Sequence, residues 1–82
     1  MYKEQDEEDR IEQSRQQILV FNDELLQGIK HSKERFDNVL AEIDKYEHYC
    51  TCHPNYSNNK AVLAIKYIKD TYELCIREHS FL

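Results

Sequence analysis

Two thiols and two imidazoles fall within six residues of this chain, in the run His48-Tyr49-Cys50-Thr51-Cys52-His53. All four side chains have the softness that suits Zn²⁺. Structural zinc sites usually take C-x₂₋₄-C with a second ligand pair well away in sequence, whereas Cys50-x-Cys52 aims two thiols awkwardly at one metal. The available second pair is Cys75 and His79, four residues apart on a helical pattern. Within one chain these would stand roughly 25 Å from the turn, since Cys75 is about 17 residues into its helix. A zinc site drawn from Cys50, Cys52, His53, Cys75 and His79 is therefore expected only between chains, as a zinc-stabilised oligomerisation unit. The plainer expectation is that Cys50 and Cys75 are small buried apolar residues and that His53-Pro54 belongs to a turn.

Other chemistry is poorly supported. Cys50-Thr-Cys52-His53 falls one residue short of both the C-x-x-C redox motif and the C-x-x-C-H of haem attachment. There is no G-x-S-x-G, no Gly-rich phosphate cradle and no H-E-x-x-H. With a single Gly and two or three helices, little concavity is available to hold a substrate, and the chain is read as non-enzymatic. Three Cys is an odd number for a closed disulfide framework and points to free thiols in a reducing, cytoplasmic setting.

The elements that position these residues are helical. Turn-forming residues gather at 50–59, which holds the only Pro, Pro54; the only Gly, Gly28, lies far upstream. Before that break, Ile11, Ile18, Phe21, Leu25, Ile29, Phe36, Leu40, Ile43, Tyr46 and Cys50 recur at helical spacings. The spacing predicts one helix over about 4–49, a turn at 50–57 and a second helix over about 58–79 starting from Ser57, Asn58 or Asn59 as N-cap. The expected fold is all-α: a single antiparallel helical hairpin over 1–82, probed further by two features. First, the seven-residue runs Ile11/Ile18/Leu25 and Ile29/Phe36/Ile43/Cys50 are offset by four, a stutter that weakens the long helix near Gly28, where the stripe also turns polar at Ser32 and Lys33. Second, Asn22 or Asp23 can cap a new start and give three helices. Neither has a Glu or Gln three residues on to complete a capping box, which favours the continuous helix.

Length then sets coverage. At about 1.5 Å per residue the first helix runs roughly 65–70 Å and the second roughly 30–35 Å, so the second reaches back only to residues 26–28. Residues 1–25 become an overhang whose apolar stripe has no cover within the chain, and exposed stripes mark interfaces. The face of the second helix is broad, with Tyr67 and Leu74 widening it beyond what one partner helix covers. Ile11, Ile18, Phe21, Leu25, Tyr67 and Leu74 are accordingly the expected partner-binding residues. At 82 residues the core is small, so oligomerisation is expected to complete it. Tyr46, Tyr49 and Tyr56 are expected to plug the turn end of the hairpin.

Charge narrows the partners. The net charge is −5, of which −3 falls in residues 1–10, and no Lys/Arg run exists to neutralise phosphates. Direct nucleic-acid binding is not expected; an acidic nucleic-acid mimic is an alternative, although acidic residues in a first turn are favoured by the helix dipole alone. The longest apolar run, Ile18-Leu19-Val20-Phe21, is far short of a bilayer span, and the acidic N-terminus does not resemble a signal peptide. The resulting expectation is a small regulator, inhibitor or adaptor that acts by helix–helix docking on a larger protein. A helical hairpin alone carries no function beyond that.

Overall fold

The computed structural model describes the backbone of residues 2–56 and 59–82, and the side chains of residues 6–56 and 61–82. It contains three helices, α1 (Tyr2–Leu26), α2 (Lys33–Cys52) and α3 (Asn59–Glu78), with no strand among the described residues. They pack into an elongated bundle of 46 × 20 × 19 Å. α1 packs closely on both α2 and α3, which approach each other less closely.

The continuous helix over 4–49 is therefore corrected: the chain turns between Leu26 and Lys33. The reason is local and involves a stop and a start. Gly28 adopts φ +84°, a left-handed conformation that costs glycine little. Around it, the Gly28 N–H donates to the Leu25 carbonyl at 3.0 Å and the Ile29 N–H to the Glu24 carbonyl at 3.0 Å. This is the paired reverse hydrogen bonding of a Schellman C-cap, which satisfies carbonyls the helix end would otherwise orphan. Ser32 then caps α2, its hydroxyl accepting the Arg35 N–H at 3.1 Å. The alternative break at Asn22 or Asp23 is also set aside, since both lie inside α1.

The second turn follows the sequence more closely. The His53 N–H donates to the Tyr49 carbonyl at 2.9 Å and the Tyr56 N–H to the His53 carbonyl at 2.9 Å, closing the chain around Pro54 and Asn55. Of the N-cap candidates, Ser57 and Asn58 lie outside the described residues, and Asn59 is the first residue of α3. α3 ends in a second reverse bond, Ser80 N–H to the Cys75 carbonyl at 3.1 Å, with His79 at φ +52°. The tail then folds onto the opposite loop. Phe81 packs against Phe36 and Tyr72, with ring centroids 5.5 and 5.6 Å apart, and the Leu82 N–H donates to the His31 carbonyl at 3.0 Å.

The turn after Gly28 changes which residues are covered. With α1 folded onto α2 and α3, Ile11, Ile18 and Phe21 are buried beside Phe36, Val39, Ile43, Tyr46, Ala61, Ala64, Ile65 and Ile68 in one core, with Leu25 packed at its margin. The stripe from Ile11 to Leu25 is therefore not an overhang. Each large side chain so buried contributes roughly 1.5–3 kcal/mol relative to exposure, which is why the chain covers this stripe itself. Phe21 and Phe36 meet edge to face at 5.0 Å, the arrangement that ring quadrupoles favour.

Candidate functional site

The six expected partner-binding residues separate into two groups. Ile11, Ile18, Phe21 and Leu25 belong to the core or its edge and reach a partner only if the bundle opens, so they are withdrawn as surface contacts. Tyr67 and Leu74 remain at the surface, 40% and 43% exposed. Leu63, on the same helix, is 76% exposed. Leu63, Tyr67 and Leu74 are spaced by four and seven residues and so lie along one line of α3, opposite the line of Ala61, Ile65, Ile68 and Tyr72 that enters the core. The signal was present in the sequence as a second helical periodicity out of phase with the first. Beside the stripe, Lys66 pairs with Asp70 across one turn at 2.8 Å, a solvent-exposed pair of little energetic weight.

The metal candidates are scattered. Cys50 is half-buried at the margin of the core near Tyr46, rather than fully buried. Cys75 is half-buried at the opposite end, beside the α1–α2 loop, where it lines a hollow with Leu25, Gly28 and Phe36. His79 sits past the end of α3 in a left-handed conformation, so the i,i+4 arm expected with Cys75 does not continue along the helix. His53 lies flat on Tyr49, ring centroids 4.0 Å apart, and its Nδ1–H donates to the Tyr49 carbonyl at 3.0 Å. Among the described residues no group of three or more His, Cys, Asp or Glu side chains is gathered as metal ligands would be. Within one chain the members of the five-residue zinc set lie at both ends of a bundle 46 Å long. One pair does meet, and half of it was not in that set. Cys52 Sγ stands 3.7 Å from His48 Nε2 across the last turn of α2, both residues exposed.

The turn end is where electrostatics are most perturbed. Tyr46, Tyr49 and Tyr56 form the expected aromatic plug, with Tyr56 edge-on to Tyr46 at 6.1 Å and to Tyr49 at 5.3 Å. The Tyr56 hydroxyl donates to Glu12 of α1, and Glu12 also pairs with Arg15 at 2.7 Å. This ties the loop before α3 to the N-terminal half of α1. Burial pushes the Tyr46 phenol up to about 12, with Cys50 adding to the shift. Burial and the bond to Glu12 raise Tyr56 well above the ordinary tyrosine value. At the other end, the Lys33 ammonium holds Asp37 below the usual carboxylate range, with Tyr72 also donating to it at 3.1 Å.

A groove of about 570 Å³ runs between α1 and α2 toward this end, from Glu7 and Arg10 past Ser14 and Glu42 to Lys45 and His48. Its Ser14 hydroxyl donates to Glu42 at 2.8 Å, so the buried serine is already satisfied.

Comparison with protein-family models, with curated proteins and with solved structures finds no match. Among the described residues no helix is long and apolar enough to cross a membrane.

Proposed function

We propose that this chain is a non-catalytic protein–protein interaction module, a small regulator, inhibitor or adaptor that docks through the outer face of α3 by helix–helix packing. The observation that carries this reading is the alignment of Leu63, Tyr67 and Leu74, all exposed, on one line of a helix whose other apolar line is buried. Single exposed apolar residues are ordinary; a row at helical spacing is what an amphipathic docking helix presents. Tyr67 suits such a row, being large, rigid and able to use its hydroxyl at a wet rim. The mild negative charge and the absence of a basic run favour a protein partner over nucleic acid.

The test is photo-crosslinking from a benzophenone side chain placed at position 63, 74 or 17, in the cells that produce the protein. Gln17 is exposed on α1 and serves as the off-face control. Discrete adducts with one protein species or with a second copy are expected from 63 and 74 and not from 17. Adducts of equal yield from all three positions, or none from 63 and 74, defeat the reading.

A further inference from the structure

We propose that His48 and Cys52 form half of a zinc site, completed by the same pair from a second copy of this chain. This goes beyond docking through α3 and rests on a different surface. The two residues are four apart on the last helical turn of α2, so both project on one side. Their ligand atoms, Sγ and Nε2, stand 3.7 Å apart. A tetrahedral zinc with its usual Zn–S and Zn–N lengths holds a sulfur and a nitrogen about 3.6 Å apart, so the pair needs almost no rearrangement to close on one ion. In the metal-free chain the same contact serves as a weak hydrogen bond between thiol and imidazole.

One chain supplies two ligands and no more: among the described residues no third His, Cys, Asp or Glu joins the pair. A structural zinc ion takes four. Both residues are exposed, and a two-fold axis through the metal brings a second His48 and Cys52 to the remaining positions, giving a Cys₂His₂ site. On ligation each Cys52 thiol releases its proton to solvent and the thiolate binds through sulfur, so two thiolates and one Zn²⁺ leave the site electrically neutral. The nearest cation on the same helix, Lys45, is already engaged by Glu42 at 3.5 Å, while Glu7 and Arg10 across the groove bring one charge of each sign.

The full chain, reduced and stripped of metal, is titrated with zinc chloride and followed by native mass spectrometry and sedimentation velocity. Cobalt(II) is the spectroscopic substitute. One zinc per two chains, a zinc-dependent doubling of mass and a thiolate-to-cobalt charge-transfer band are expected. Cys52→Ser and His48→Gln should each weaken binding by more than about tenfold, with helix content intact because both side chains are at the surface. Cys75→Ser, at the other end of the bundle, should bind as the parent does. Leu63→Lys/Leu74→Lys should also keep the zinc dimer, which separates this inference from docking by α3. Zinc bound one-to-one by a monomer, binding that survives Cys52→Ser, or no binding at micromolar metal overturns the proposal.

Discussion

Ile18→Ala is the sharpest probe of the bundle, because the two arrangements of α1 give opposite outcomes. On an uncovered overhang Ile18 would face water and its truncation would be nearly silent. In the structure Ile18 is 0% exposed within the core shared by all three helices. Truncation to Ala removes about three methylene equivalents, at about 0.8 kcal/mol each, and leaves a cavity whose cost adds to the transfer loss. The expected destabilisation is about 3 kcal/mol. For a domain of 82 residues, total stability is on the order of 4–12 kcal/mol, so the loss is a large share of it. In temperature it corresponds to a fall in Tm of roughly 12–24 °C. Val20, two residues away and 51% exposed, is the internal control, with an expected change within about 0.5 kcal/mol for Val20→Ala. Urea unfolding followed by circular dichroism measures both. Equal effects at positions 18 and 20, or a change below about 0.5 kcal/mol at Ile18, would refute the placement of α1 in the core.

Gly28→Ala tests the helix stop. Nothing lies within 4 Å of an added Cβ, so the cost is the left-handed backbone alone, about 1 kcal/mol; unchanged urea stability would mean that α1 does not end in the conformation described. The tyrosine plug predicts a particular alkaline limit. Tyr46 titrates near 12 in the folded chain against about 10 unfolded, so its neutral form is the one folding favours. That contribution is whole below about pH 10 and is lost as pH rises toward 12, and Tyr56, raised for the same reason, acts in the same direction. Unfolding free energy should fall less steeply between pH 9 and 11.5 in Tyr46→Phe/Tyr56→Phe than in the parent; coincident slopes would contradict the burial of these hydroxyls.

Much of this architecture is legible in the sequence. The helical class, the turn around Pro54, the aromatic plug and the extent of α3 follow from periodicity and turn chemistry acting locally. The break between α1 and α2 was visible only as a weak point, because a helix stop written by one Gly and a start written by one Ser compete with an apolar stripe that passes through them almost in register. The stripe records which face is buried and is silent about whether the helix bends back to bury it. That single ambiguity carried the misplacement of Ile11, Ile18 and Phe21 from core to interface. At the candidate sites, Leu63 shared its helix with a wider apolar face and did not stand out, although its spacing to Tyr67 and Leu74 places the three in line. His48 was masked by Cys50 and His53, nearer in sequence to Cys52 but off its helical line.

The docking face is tested most directly by the affinity of Leu63→Lys/Leu74→Lys for the partner captured by crosslinking, measured by titration calorimetry beside the parent chain. Both side chains are exposed, so the variant should fold with an unchanged Tm. Its affinity should fall at least 100-fold, as expected when two central apolar contacts of about 1.4 kcal/mol or more each are replaced by charge. Binding that survives this double substitution but is lost in Val20→Lys would contradict the account and move the docking face to α1.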